Sequence, residues 1–285
     1  MHSFVPYIQL LRPRQWLKNL MLYFPPFLGG TLLQSNIAAG ILPLAIFCMV
    51  SSAIYIINDI LDISNDSHHP EKCNRPLPTG RVSIPAALLL AICLISSGIS
   101  LASAYLPASF MLCLALYILI SLAYTFKLKE YALIDLFCIS SGFMLRLKAG
   151  GVAFNVTISE WLFLTVFLLS FFLSTGKRFS EKKRLGATAV RHRKVLDMYP
   201  RGFLQGLMCM SAAAVLVTYA MYAISKNSSL LLYTVPLCCF GLMRYMIRIQ
   251  SGSSGDPTES LLKDGPLFAT GLVWAIMVGW GIYGT

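Results

Sequence analysis

The stretch Ile54-Tyr55-Ile56-Ile57-Asn58-Asp59-Ile60-Leu61-Asp62-Ile63-Ser64-Asn65-Asp66 changes character partway along. Upstream of it, residues 38–57 carry no charge, a run as long as the roughly 20 apolar residues a helix needs to cross a bilayer. Downstream stand three carboxylates, Asp59, Asp62 and Asp66, in a chain with only 12 acidic residues. The stretch reads as a membrane span opening into a polar loop.

Apolar runs of the same length recur on both sides. They give spans at residues 17–34, 38–57, 84–105, 108–124, 132–152, 158–176, 204–224, 229–248 and 266–284, which predicts nine crossings. The first is interrupted by Pro25 and Pro26, so an interfacial helix leading into a kinked span is expected there. Arg12, Arg14 and Lys18 precede that broken segment without a small-residue cleavage pattern, and no removable leader is expected. The expected fold class is an all-α polytopic membrane protein, with residues 1–285 forming one transmembrane domain.

Composition agrees. Of 285 residues, 56% are hydrophobic and 12% charged, against about 45–50% apolar and about 25% charged in soluble domains. The mean hydropathy is +0.69. The eight cysteines are scattered, without a paired motif, and read as small packing residues.

The connections between spans form two alternating groups. The N-terminus with residues 58–83, 125–131, 177–203 and 244–265 holds 20 of the 23 basic residues. By the positive-inside rule that group is cytoplasmic, with the C-terminus outside, in a plasma or inner membrane. A net charge of +11 confined to such loops is what insertion alone produces, so nucleic acid is not an expected partner. The same charge favours a phosphorylated ligand on the cytoplasmic face.

The acidic loop carries the chemistry. If the helix continues, positions i, i+3 and i+7 lie within about 60° of one another, so Asp59, Asp62 and Asp66 share a face. Clustered carboxylates repel unless a cation neutralises them, and all-oxygen ligands suit Mg²⁺. The alternative is a solvated helix end whose acids pair with loop Lys and Arg; against it, the loop that follows is basic and offers Lys72, Arg75 and Arg81 to a ligand. His68 and His69 read as solvated loop histidines.

The Asn-Asp-x-x-Asp-x-x-x-Asp pattern at residues 58–66, after the second of nine spans, resembles the UbiA superfamily of intramembrane prenyltransferases. Aromatic prenyltransferases of that superfamily carry a second Asp-rich loop. Here the corresponding stretch is Tyr124-Thr125-Phe126-Lys127-Leu128-Lys129-Glu130, cationic where theirs is acidic. With residues 12–19, 69–76, Gly176-Lys177-Arg178-Phe179-Ser180-Glu181 and Asp256-Pro257-Thr258-Glu259, the chain is similar to the decaprenyl-phosphate phosphoribosyltransferase branch. Ser67 and Asn74 depart from the basic residues expected there.

The resemblance implies transfer of phosphoribose from 5-phosphoribosyl 1-diphosphate to a polyprenyl phosphate, with Mg²⁺ on Asp59, Asp62 and Asp66. It implies substrate contacts from Lys18, Asn19, Asn58, Arg75, Tyr124, Lys127, Lys129, Lys177 and Arg178. An isoprenyl transfer to an aromatic acceptor is the alternative, and a homo-oligomer is compatible with the pattern. Lys18, Lys127 and Lys129 lie at membrane boundaries, where snorkelling competes with ligand binding. Asp135 either enters the cavity or caps a helix. Arg146, about 20 Å from the cytoplasmic end at 1.5 Å per residue, reads as structural, and Lys148 as snorkelling outward.

Overall fold

The computed structural model describes residues 4–33, 37–67, 72–185 and 194–284. Among the described residues there is no strand, and eight segments are long and apolar enough to cross a membrane. Their long helices are α1 (Ile41–Leu61), α2 (Ile84–Tyr105), α3 (Ala108–Phe126), α4 (Ile134–Ala153), α5 (Glu160–Leu185), α6 (Phe203–Ser225), α7 (Thr234–Gln250) and α8 (Gly265–Tyr283).

The first expected span, residues 17–34, is not one apolar α-helix. After a short helix, Val5–Leu11, the chain runs as a 3₁₀ helix over Pro13–Tyr23 and becomes α-helical only over Phe24–Gly29. Prolines at 13, 25 and 26 remove backbone donors, and Gly30 stops the segment with a left-handed φ of 81°. Two other boundaries also move. The helix read as 158–176 runs on to Leu185, so Lys177 and Arg178 sit on α5 rather than in the next loop. The span read as 229–248 divides into Ser229–Leu232 and Thr234–Gln250.

Helix ends follow local chemistry. Pro85 and Pro266 occupy first turns, where a missing N–H costs nothing, and Asp264 caps α8 by accepting from Leu267 N at 3.0 Å.

Most neighbours in sequence are neighbours in space: α1 packs on α2, α3 on α4, α4 on α5, α5 on α6 and α7 on α8. The N-terminal stretch lies along α4 and α1, and Phe24–Gly29 meets α8, which closes the bundle. Tyr283 Oη seals that junction by donating to Pro26 O at 3.0 Å and accepting from Leu32 N at 3.2 Å. The segments containing α1, α4 and α5 are about half buried within the bundle, against about a tenth for α8. The three central helices therefore carry the polar residues that lipid would not tolerate.

Candidate active site

α1 stays regular to Leu61, where Asp62 ends it, and a short helix, Ile63–Ser67, follows. That break divides the three carboxylates, so the single shared face expected of them is not formed. Asp59 and Asp66, each 3% exposed, turn inward. Arg75 Nη1 bridges them, 2.9 Å from Asp59 Oδ1 and 2.5 Å from Asp66 Oδ2. Arg12 adds an ion pair to Asp59, and Lys72 lies 3.6 Å from Asp66. Asp62 is served from another side, by Lys129 Nζ at 2.7 Å and Asn58 Nδ2 at 2.9 Å. Each acid has a cation because an unpaired buried charge costs several kcal/mol.

Beside this network lies a cleft of about 870 Å³ lined by Arg14, Lys72, Arg75, Lys177, Arg184 and Lys263, among others. Its size is ordinary for a ligand site, about 300–1,000 Å³, and its lining is unusually cationic. Part of the far wall is the segment Ser254–Lys263, stapled to α5. Ser180 Oγ donates to Ser253 O at 2.8 Å, and a Cβ on Gly255 would lie 2.8 Å from Lys177 Cα. Among the described residues, neither the Lys18 nor the Lys177 amine has a hydrogen-bond or ion-pair partner.

Several expected contacts are placed elsewhere. Lys127 is 66% exposed at its side chain and pairs with Glu130 at 3.5 Å, so of the two loop lysines only Lys129 reaches an acid of the motif. Arg178 is 1% exposed and is not among the residues that line the cleft. Its Nε donates to Asp135 Oδ2 at 2.6 Å, Nη1 to Glu181 at 3.0 Å and Nη2 to Tyr124 Oη at 3.1 Å. Asp135 thus belongs to a buried ion pair and neither caps a helix nor enters the cleft. Tyr199 completes this group by donating to Asp135 Oδ1 at 2.7 Å. Burial above all pushes its phenol above the usual range, so it remains a donor.

Asn19 is fully buried, donates to Ser51 Oγ at 3.2 Å and accepts from Arg146 Nε at 2.7 Å. It holds protein rather than ligand. Arg146, 5% exposed, also bonds Gly142 O at 2.9 Å and Tyr117 Oη at 2.8 Å, in accord with a structural role. His68 and His69 lie outside the described residues. Lys72, expected from the sequence to be offered to a ligand, does line the cleft, whereas Arg12, Arg14 and Arg184 were not expected as members of this site. Arg12 and Asp59 are 47 residues apart, and only proximity in the fold reveals the pair.

Among the described residues no group of three His, Cys, Asp or Glu is gathered closely enough to hold a metal by itself. The donor chemistry nevertheless fits a hard cation, because two buried carboxylates converge on one point, the position of Arg75 Nη1.

Known proteins agree with this picture. Residues 23–272 match the UbiA prenyltransferase family. The decaprenyl-phosphate phosphoribosyltransferase of Mycolicibacterium smegmatis is 34% identical, the match covering 97% of this chain and 92% of that protein. The protein of the same name from Corynebacterium glutamicum is 32% identical, over 97% of this chain and 86% of its own length. Among solved structures, a UbiA homolog from Archaeoglobus fulgidus bound to GPP and Mg²⁺ shares the fold, with a TM-score of 0.76 and 20% identity over 98% of this chain and 100% of that one.

Proposed function

We propose that this chain, which belongs to the UbiA prenyltransferase family, transfers 5-phosphoribose from 5-phosphoribosyl 1-diphosphate to a polyprenyl phosphate and releases diphosphate. The relatives of that name, matched over nearly the whole chain, support the activity. The observation that carries it at the site is the cationic cleft beside the carboxylates bridged by Arg75. Both substrates are anions, and a site joining them needs more positive charge than one acid-bound metal supplies.

Asp59 and Asp66 would hold Mg²⁺ with the donor's diphosphate, Asp62 standing apart on Lys129, and the metal would supply charge neutralisation for the leaving group. Arg75 and Arg12, now paired with the carboxylates, would be donors to phosphate once the metal held those acids, and Lys129 stands beside Asp62. Lys18 and Lys177 offer unpaired amines to the remaining phosphates, as charge-assisted donors that strengthen where water is scarce.

The bond from the anomeric carbon to diphosphate breaks with its electron pair leaving on oxygen. A bond from the same carbon to an acceptor phosphate oxygen forms on the opposite face, with inversion. The acceptor phosphate is already largely ionised near neutral pH, its second pKa being about 6, so no general base is required.

The N-terminal stretch Pro13–Gly29 serves as a ninth crossing. Its rise is about 31 Å at roughly 2.0 Å per 3₁₀ residue and 1.5 Å per α residue, close to the hydrocarbon thickness of about 30 Å. Arg12 meets the acidic motif, while Leu28 O, near the other end, accepts from Tyr222 Oη at 2.7 Å. The acidic motif would face the cytoplasm of a plasma or inner membrane, a reading that the basic loops support. Incubating purified protein and Mg²⁺ with ribose-labelled donor and polyprenyl phosphates of several lengths tests the activity. Label partitions with the lipid if the reading holds; label that stays aqueous throughout overturns it.

A further inference from the structure

A 3₁₀ helix of 11 residues, Pro13–Tyr23, is unusual, because such runs rarely exceed 3–4 residues and their hydrogen bonds are poor. Something outside the segment must hold it in that form. A 3₁₀ helix turns 120° per residue, so positions three apart stack in rows, and here the rows sort by surroundings. Trp16, Asn19 and Leu22 form one row against the bundle. Trp16 Nε1 donates to Ser52 Oγ at 3.0 Å, Asn19 takes Ser51 and Arg146, and Leu22 lies so close to α4 that a Cβ on Gly150 would be 2.2 Å from its carbonyl oxygen. Gln15, which lines the cleft, and Lys18 form the next row, in line with Arg12. Arg14, Leu17 and Leu20 form the third, in which Arg14 and Leu17 also line the cleft and Leu17 and Leu20 are 49% and 44% exposed.

An α-helix anchored at Asn19 would place these groups differently. At 100° per residue, Gln15 turns about 80° from its present row and Trp16 turns about 60° from Asn19. The segment also shortens from about 22 to about 16.5 Å, drawing Arg12 away from Asp59.

We propose that Arg146 and Asn19 are positioning residues, a buried latch that keeps Pro13–Tyr23 in its stretched 3₁₀ form and so presents Arg12, Gln15 and Lys18 to the site. Arg146 suits this task because Gly142 O and Tyr117 Oη hold its guanidinium from α4 and α3 while Nε grips Asn19. An arginine buried in a membrane bundle is costly. Among the described residues it has no carboxylate partner within ion-pair distance, and its side-chain hydrogen bonds outside its own helix go to Asn19 and Tyr117.

Single cysteines at Gln15, Lys18 and Leu20, in the full chain with its native cysteines replaced, report the register through their labelling rates with a small anionic, water-soluble thiol reagent. In the parent, positions 15 and 18 react quickly and position 20 slowly. With Arg146→Met, the rates at 15 and 18 fall tenfold or more, and Asn19→Asp, which keeps an acceptor for Nε, retains them. Rates unchanged within twofold in Arg146→Met overturn the latch, as does Asn19→Asp behaving like Asn19→Leu. If Arg146→Met does not fold, Asn19→Leu, which leaves Arg146 its other bonds, carries the same comparison.

The kinetic arm rests on the phosphoribosyl reading. With Arg146→Met, KM for the donor rises roughly tenfold or more while kcat changes less than threefold, as loss of a placed phosphate contact requires. Altered labelling with an unaltered KM keeps the latch and counts against phosphate binding by this row.

Discussion

The carboxylates of Asp59 and Asp66, seven positions apart in the chain, meet on a single nitrogen, Arg75 Nη1, at 2.9 and 2.5 Å. On the proposed reading, a divalent ion would take these two carboxylates and leave the guanidinium for phosphate. Asp59→Asn should therefore lower turnover by about 10²–10³-fold, the scale of losing a placed electrostatic group, with membrane insertion intact. Turnover within threefold of the parent would remove Asp59 from the metal site.

The two lysines of the loop after α3 separate ligand binding from snorkelling. Lys129 reaches Asp62 at 2.7 Å, while Lys127 points outward to Glu130. Lys129→Ala should raise the donor KM about tenfold, the worth of one charge-assisted hydrogen bond, and Lys127→Ala should leave it within about twofold, as expected for an exposed pair. Equal effects in steady-state kinetics would contradict the placement.

Asp135 and Arg178 form an ion pair with 0% and 1% side-chain exposure. Removing one partner strands the other, at a cost of roughly 3–5 kcal/mol. Arg178→Met should lower the melting temperature in detergent sharply, and the double change Arg178→Met with Asp135→Leu should recover much of the loss. A double variant as unstable as the two losses added together would show that the pair is not coupled.

Asp264 takes Arg244 Nε and Nη2, both at 3.0 Å, as it caps α8. Those hydrogen bonds, foremost, hold its carboxyl below the usual range. A depressed carboxylate contributes stability that is present above its unfolded pKa, about 3.9, and lost only as pH falls through the lower folded value. The melting-temperature gap between parent and Asp264→Asn should thus be equal at pH 8 and pH 5 and close only below about pH 4. A gap already absent at pH 5 would refute the assignment.

Much of the scaffold was legible in the chain because lipid enforces it: an uncharged run must be a satisfied helix, and residues 84–105 became α2 with those ends. The acidic motif was legible for the same reason, since carboxylates at a span end stand out against an apolar background. Side-chain direction was not. Lys177 and Arg178 are adjacent, yet one lines the cleft and the other is spent on Asp135, 43 residues away. Asn19 was expected at the substrate only because the resemblance covers residues 12–19, and its bond to Arg146, 127 residues away, appears only in the fold. The prolines announced an irregular first segment, but not which of two helical periods the residues between them adopt.

In the proposed reaction the sugar phosphate, and not the diphosphate, moves to the lipid. The most direct test is a donor labelled separately on ribose and on the β-phosphate, incubated with the purified protein, Mg²⁺ and a polyprenyl phosphate. Ribose label is expected in the lipid phase and β-phosphate label in aqueous diphosphate, in equal amounts. No lipid-linked ribose at any chain length, together with prenylation of an aromatic acid from an isoprenyl diphosphate, would contradict it.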